Sequence, residues 1–271
     1  PFCCSCARMD TGARAHPALR RSTAPQMGSS WWRAARRRWA RYLPLVETVG
    51  PEEAAERRAC RAETKEREAV NLLHRMLPPE VADSLAAGRS VPPEAFEHVT
   101  IFFSDIEGFT AISARVGPLA VARLLNTLYH VMDYCTSFFP VYKVETIGDA
   151  YMVACGLPRS CPDHACCMAD FALLVQEAVR FVVNPAEPNT QLRLRMGIHS
   201  GPAVAGVVGS LMPRYCVFGD TVNTASRMES TGQAGAIQCS AQTTAFLLDS
   251  GDFAMVPRGA VEVRGKGCLQ T

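Results

Sequence analysis

Apolar and polar positions follow two different periods from residue 98 to the end of the chain, which predicts strands mixed with helices. Residues 99–103 are β-branched and aromatic and predict a buried strand. Residues 117–139 carry apolar side chains at helical spacing and predict an amphipathic helix. Residues 192–198 alternate strictly between apolar and polar side chains, which predicts a strand with one polar face. This mixture indicates an α+β or α/β sandwich.

Shorter patterns complete the same alternation. Each is bounded by glycine, proline or polar residues, which favour turns. They predict strands at 141–144 and 150–154, forming a hairpin around Ile147-Gly148-Asp149, helices at 164–182 and 219–228, and late strands at 236–239 and 261–263.

A helix is predicted over residues 51–77, because proline and acidic residues open the segment and Leu73 and Leu77 belong to an apolar stripe. The stripe is shorter than three or four heptads, so a short parallel coiled coil is one alternative among helical linkers. A second short helix is predicted over residues 80–87, and Pro92-Pro93 marks the boundary before the main domain.

Positive charge is concentrated in the first part of the chain. Residues 1–43 hold nine arginines against one acid, although the whole chain of 271 residues has a formal net charge of only +2. Residues 1–50 have little apolar periodicity, so we predict that they lack a fixed fold or belong to a domain continued elsewhere. Residues 31–39 fit either a solvated linker, which we prefer, or a basic amphipathic helix that touches anionic lipid or RNA.

Bulk properties exclude several classes of protein. No apolar run reaches 18 residues, so we expect no membrane span in this chain. The twelve cysteines are irregularly spaced along a long chain, which favours reduced, mostly buried thiols over a disulfide framework. Both ends resemble cuts from a longer protein, since the chain begins at Pro1 and ends shortly after Lys266.

Two aspartates stand where predicted strands end. Asp105 follows the strand at 99–103, and Asp149 lies at the tip of the predicted hairpin. In a compact sheet two strand tips can meet, and paired carboxylates are ligands that Mg²⁺ prefers. Gly108 allows close approach of a ligand to the backbone. The alternative, that both aspartates are ordinary turn residues, is equally good on spacing alone.

Five motifs resemble the class III adenylate/guanylate cyclase catalytic domain in order and spacing. They cover most of the chain from about residue 98, and the fourth is the most specific. The motifs are Phe103-Ser104-Asp105-Ile106 with Gly108-Phe109-Thr110, Lys143 to Tyr151, Gly197 to Gly209, Tyr215 to Glu229, and Arg264-Gly265-Lys266-Gly267.

The resemblance implies an α+β fold, a ferredoxin-like βαββαβ palm sheet flanked by helices and preceded by a helical linker. It divides the chain into an upstream segment (1–50), a helical or coiled-coil signalling linker (51–97) and a guanylate cyclase catalytic domain (98–271). The C-terminus is expected to be truncated within the family's last strand.

The resemblance also implies roles for particular residues. Two Mg²⁺ or Mn²⁺ ions per site are expected on metal ligands, and the nucleotide phosphates are expected on a backbone cradle and a lysine. The catalytic pair comprises one residue that positions the ribose and one that stabilises charge on the α-phosphate. The assignments are Asp105, Asp149 and the Ile106 carbonyl for metal, Gly108, Phe109, Thr110 and Lys266 for phosphate, and Asn223 and Arg227 for catalysis.

Two further positions favour guanine over adenine. An ionised glutamate only accepts hydrogen bonds, so Glu145 suits the N1–H and N2–H₂ donors of guanine. Cys216 has a weak donor that suits O6 and places no full charge there. Adenylate cyclases of the family typically have lysine and aspartate at these positions, so GTP is the expected substrate.

The resemblance implies sites shared across a dimer, and this chain carries both halves. We therefore expect a homodimer, with a heterodimer with a related cyclase chain as the alternative. An adenylate cyclase and a non-catalytic partner subunit remain open, and no nucleic acid partner is expected. The domain is expected in the cytoplasm, as the intracellular part of a membrane-bound receptor or sensor, with membrane contact only through upstream regions. Glu107 departs from the family pattern and is expected to face water.

Overall fold

The structure is a computed structural model that describes residues 51–263 and 265–271. By internal contacts the chain divides into two units, the first ending at Ala62 and the second running from Glu63 to Thr271. The sequence predictions for residues 1–50 lie outside the described residues. The elements are α1 (Pro51–Met76), α2 (Pro79–Ala86), β1 (Glu94–Ile106), α3 (Phe109–Arg115), α4 (Pro118–Thr136), β2 (Val141–Ile147), β3 (Ala150–Cys155), α5 (His164–Val179), β4 (Leu194–Val208), β5 (Arg214–Phe218), α6 (Asp220–Ser230), β6 (Ile237–Cys239), α7 (Ala241–Ser250), β7 (Ala260–Val263) and β8 (Gly267–Gln270).

The central sheet has the strand order β2-β3-β1-β4-β5, and β6 pairs with β4. All neighbours are antiparallel except β4 and β6. Helix α4 connects β1 to β2, and α5 connects β3 to β4, so the core of the domain is a βαββαβ unit. The predicted ferredoxin-like α+β sheet flanked by helices is therefore confirmed.

One face of the sheet is covered by helices α4, α5 and α7. Phe102 of β1 meets Phe171 of α5 edge to face, with ring centroids 5.3 Å apart. Met132 of α4 and Met168 of α5 are fully buried in the same cluster. Each such side chain contributes about 1.5–3 kcal/mol by leaving water, so this face holds the main core.

The opposite face carries α6, which approaches the backbone of β4 closely. A Cβ atom on Gly197 would lie only 2.0 Å from the backbone nitrogen of Glu229. Only glycine permits this separation, because a methyl group there would overlap the helix backbone. The close approach brings the side chains of α6 over the end of β1 and the start of β4.

Strands β1 and β4 are both longer than the sequence predicts. The strand predicted over residues 192–198 continues past Pro202 to Val208. The ladder between β1 and β4 shifts register between Phe96 and Val99, and Pro202 lies at this irregularity without a ladder partner. Proline is tolerated at such bulges, because its nitrogen does not have to donate a ladder hydrogen bond there.

Helix α7 and strand β5 were not predicted. Helix α7 begins at Ser240, whose side chain accepts a hydrogen bond from the Thr243 backbone N–H, so its start has an ordinary N-cap. Its only two fully buried residues are Thr243 and Leu247, and one of these is polar. The sequence of this helix therefore shows no clear apolar stripe that would predict it.

Helix α1 confirms the helix predicted near residues 51–77. Leu73, near its end, packs with Leu77 and with Val81 and Ala82 of α2 against the second face of the sheet. The coiled coil and the domain boundaries remain predictions. Among the described residues, no helix is both long and apolar enough to cross a membrane.

Candidate active site

The two predicted metal carboxylates lie together at one end of the sheet. Asp105 is near the end of β1, and Asp149 lies in the turn between β2 and β3, which pairs with β1. The Ile106 backbone N–H donates to Asp149 Oδ2 at 3.3 Å. Burial, followed by the hydrogen bond and charge of Asp105, raises the pKa of Asp149 to about 7. Without a cation this pair therefore holds a proton near neutral pH.

Arg195 is a third charged group at this site, and sequence reasoning missed it. It lies opposite Asp105 in the β1–β4 ladder, and its Nη2 is 2.5 Å from Asp105 Oδ2. Its Nε donates to Glu229 Oε1 of α6 at 3.0 Å. The guanidinium thus places positive charge beside the carboxylates. Its position on the polar face of an alternating strand, just before the Gly197 motif, was the available signal.

Side chains of α4 hold the turn that carries Asp149. The Tyr129 hydroxyl donates to the Gly148 carbonyl. Lys143 of β2 forms an ion pair with Asp133, with a separation of 2.7 Å between Nζ and Oδ1. Burial and the negative charges of Asp149 and Asp105 raise the pKa of Tyr129 to about 12, so it remains a donor. These contacts fix the carboxylate relative to the helix.

The predicted phosphate cradle is a tight turn that leads into α3. Gly108 has a φ of +69°, a left-handed conformation that glycine adopts without strain, and its Cβ position is open. Phe109 packs partly into the core, and Thr110 is exposed. Glu107 is half exposed and pairs with Arg193 at 2.7 Å, so it does not point into the carboxylate pair as a ligand.

The strands that carry the predicted guanine-recognition residues contact each other, although β2 and β5 are at opposite ends of the sheet order. Tyr142 of β2 meets Tyr215 of β5 edge to face, with ring centroids 5.5 Å apart. Burial, Tyr215 and Cys216 together raise the pKa of Tyr142, which places the Cys216 thiol beside β2. Glu145 on β2 is exposed. The two edge strands therefore contact each other at Tyr142 and Tyr215.

Helix α6 presents the predicted catalytic residues. Asn223 and Arg227 are one turn apart and share a face of the helix. Lys266 forms an ion pair with Asp220, the first residue of α6, and this contact lowers the pKa of Asp220. Asn223, Arg227 and Lys266 therefore form one group. The neighbouring Arg264 lies outside the described residues.

The predicted residues thus fall into two groups. The first contains Asp105, Asp149, the turn at 106–110 and Arg195; the second contains Glu145, Cys216 and the α6 and Lys266 residues. Within residues 51–263 and 265–271, no hydrogen bond or ion pair joins Asp105 or Asp149 directly to a residue of the second group.

Comparison with known proteins gives consistent matches. A family model described as the adenylate and guanylate cyclase catalytic domain matches residues 91–271. The human atrial natriuretic peptide receptor 2 is 53% identical over 208 residues, which are 76% of this chain and 20% of the receptor. A receptor-type guanylate cyclase of Caenorhabditis elegans, gcy-28, is 52% identical over 200 residues, which are 74% of this chain and 16% of that protein.

A solved structure is also similar. The guanylate cyclase domain of RhGC from Catenaria anguillulae, in complex with GTP, is 44% identical, with a TM-score of 0.61 over 65% of this chain and 95% of that one. The chain spans about a fifth or less of the length of the curated relatives it matches.

Proposed function

The chain belongs to the adenylate and guanylate cyclase catalytic domain family, and we propose that it converts GTP to 3′,5′-cyclic GMP and pyrophosphate. The observation that carries the choice of GTP is the pair of residue types at two positions, Glu145 on β2 and Cys216 on β5. An acceptor-only carboxylate and a neutral thiol complement the guanine edge and not the adenine edge. The guanylate cyclase relatives support the same substrate.

The carboxylate pair fits divalent metal. Two nearby carboxylates, one of which has a pKa raised to about 7, form a site with excess negative charge that a cation would relieve. We propose that Asp105, Asp149 and the Ile106 carbonyl hold two Mg²⁺ or Mn²⁺ ions. When bound, these ions supply Lewis acidity toward the phosphates and the 3′-oxygen.

The remaining residues bind and orient the nucleotide. The turn at 106–110 offers backbone amides to the β- and γ-phosphates, and Lys266 exchanges Asp220 for phosphate oxygens. Asn223 positions the ribose. The 3′-oxygen bonds to the α-phosphorus while the bond from that phosphorus to the α,β-bridging oxygen breaks. Pyrophosphate leaves with the bridging oxygen, and the 3′-hydroxyl proton passes to solvent. Arg227 meets the charge that grows on the α-phosphate, so its loss costs turnover more than binding.

We propose that each site is shared between two copies of the chain. The carboxylate group of one copy would face the α6 group of the other, and within the described residues no hydrogen bond or ion pair joins Asp105 or Asp149 directly to Asn223, Arg227 or Lys266. A homodimer then has two complete sites, whereas a heterodimer with a related cyclase chain needs only one.

Mixing two inactive variants tests this sharing. Asp149→Ala and Arg227→Ala each damage a different group, so a mixed dimer regenerates one intact site. With random exchange of subunits, about a quarter of wild-type activity returns, since half of the dimers are mixed and each has one good site. No recovery, with exchange verified by tagged subunits, would contradict the shared site.

The substrate is tested by assaying the purified chain with GTP and with ATP, in Mg²⁺ and in Mn²⁺, beside Asp149→Ala. Cyclic GMP from GTP alone, lost in the variant, supports the proposal. Cyclic AMP from ATP indicates an adenylate cyclase. No product from the folded, dimeric chain indicates a non-catalytic partner subunit, and activity on mixing with related cyclase chains then tests that role.

We also propose that the domain is the cytoplasmic part of a longer receptor or sensor, because its curated relatives include receptors of about five times the matched length. In that arrangement α1 and α2 connect the catalytic domain to the upstream signal and bias two dimer arrangements. If the protein keeps regulated activity after the segment that contains α1 and α2 is removed, so that the catalytic part starts near residue 90, this role is contradicted.

A further inference from the structure

Three cysteine thiols form a cluster at the end of β3 opposite the end that follows Asp149. They are Cys155 at the end of β3, Cys161 in the segment before α5, and Cys167 in the first turn of α5. Their sulfur atoms all lie within 4.8 Å of one another. Cys161 interacts electrostatically with both of the other thiols. All three are free thiols.

The backbone around the cluster holds the three sulfurs in this arrangement. The Cys161 carbonyl accepts from the His164 backbone N–H at 3.2 Å, and the Cys167 N–H donates to the Asp163 carbonyl at 2.9 Å. The Cys155 thiol donates to the Pro140 carbonyl at 3.3 Å. Three separate segments of the chain therefore converge on one point.

The spacing of the sulfurs suits a soft metal ion. A Zn–S bond of about 2.3 Å implies sulfur separations of about 3.8 Å in a tetrahedral site, which is inside the observed limit. Cys155 is fully buried, whereas Cys161 and Cys167 are partly exposed, which leaves an entry path. Three thiolates with an open fourth position match the ligand preference of thiophilic d¹⁰ cations.

We propose that Cys155, Cys161 and Cys167 form a second metal site, which binds a thiophilic d¹⁰ ion such as Zn²⁺ and cross-links β3, the segment at 156–163 and α5. Binding forms three metal–sulfur bonds and releases the thiol protons to solvent, without oxidation or reduction. A water molecule completes the coordination of Zn²⁺. The site is separate from the Asp105–Asp149 pair and does not depend on the proposed cyclase activity.

A bound cation would stabilise this part of the fold, because it offsets the free-energy cost of burying thiolates. Burial raises the pKa of Cys167 to about 11 and that of Cys155 still further, and the charges of Asp163 and Asp170 add to the effect at Cys167. Cys155 and Cys167 are therefore neutral without metal. A dication supplies the positive charge that the surroundings lack and compensates the thiolates.

Cobalt substitution tests the proposal on the full chain under reducing conditions. Co²⁺ bound to thiolates gives an intense near-ultraviolet charge-transfer band, whereas Co²⁺ on carboxylates does not. We expect the band to saturate near one equivalent and to be displaced by Zn²⁺. It should weaken at least tenfold in Cys161→Ser and in Cys167→Ser, with Cys166→Ser as the matched control that keeps it.

Two further measurements keep the test independent of folding. Far-ultraviolet circular dichroism checks that each metal-free variant keeps its secondary structure. Zn²⁺ should raise the Tm of the wild type and of Cys166→Ser by several degrees more than that of Cys161→Ser. An absent band, or an equal band and Tm shift in folded Cys161→Ser, would overturn the proposal and assign any bound metal to other thiols.

Discussion

Arg195 lies directly opposite Asp105 in the β1–β4 ladder, and its guanidinium joins that carboxylate to Glu229 of helix α6. One side chain thereby links the metal-binding end of the sheet to the helix that presents Asn223 and Arg227. The chain of contacts runs within a single subunit.

Replacing Arg195 with methionine keeps much of its volume but removes the charge. Charge-assisted hydrogen bonds of this kind contribute about 1–2 kcal/mol at a partly exposed position, so we expect a fall in Tm of several degrees. Loss of positive charge beside the predicted metal carboxylates should also lower turnover by about a hundredfold. Thermal unfolding and GTP kinetics measure the two effects, and Glu229→Gln should reproduce the first more than the second.

The guanine contacts predict a change of substrate. Glu145→Lys together with Cys216→Asp replaces acceptor-only and neutral groups by the pair that suits adenine. We expect kcat/KM for GTP to fall at least a hundredfold and ATP to become the better substrate. Each single variant should lose GTP activity without gaining ATP activity. Unchanged preference in the double variant would remove the basis for the assignment.

The packing of α6 on β4 predicts a severe effect at Gly197. In Gly197→Ala the new Cβ would overlap the helix backbone near Glu229, so the helix must move away from the sheet. We expect destabilisation of about 3 kcal/mol or more and loss of activity. Gly117→Ala is the matched control, because its Cβ position is open, and it should cost less than about 1 kcal/mol. Denaturant unfolding compares the two.

The raised pKa of Asp149 predicts how metal dependence varies with pH. Below about pH 7 the carboxyl of the folded, metal-free chain retains a proton that a cation must displace. The concentration of Mg²⁺ needed for half-maximal activity should therefore rise as pH falls from 8 to 6. The saturating rate should change less over the same range.

The same shift predicts the pH dependence of stability without metal. The pKa is raised in the fold, so the folded chain holds more protons than the unfolded chain between about pH 4 and 7. The contribution of this group is present at low pH and is lost as pH rises through 7. Added Mg²⁺ should restore the lost stability at pH 8, and Asp149→Asn should abolish this dependence.

The family motifs include Asp105, Asp149 and the turn at 106–110, so these positions could be identified from the sequence. The predicted hairpin allowed Asp105 and Asp149 to meet, although spacing alone fitted turn residues equally well, and the α+β sheet followed from its periodicities. Arg195 was missed because one arginine on a polar strand face looks like an ordinary solvated residue. Only the cross-strand register shows that it lies opposite Asp105.

Other features depend on tertiary contacts that local patterns do not contain. The continuation of β4 past Pro202 relies on a bulge between two strands that are distant in the sequence. Helix α7 begins after the N-cap Ser240, and one of its two buried residues is a threonine, so its sequence lacks a clear apolar stripe. The convergence of Cys155, Cys161 and Cys167 requires β3 and α5 to pack, so their spacing alone gave no sign of it.

Strand β4 carries Arg195 near its start and Gly206 near its end, and Gly206 pairs with Cys216 of β5. These positions are at most about 36 Å apart along an extended strand. In the proposed dimer, the two ends of this strand border different sites, because Arg195 belongs to the carboxylate group and Cys216 to the base-binding group. Nucleotide bound at one site that alters the twist of β4 would change the affinity of the other. We therefore expect cooperativity between the two sites of a homodimer.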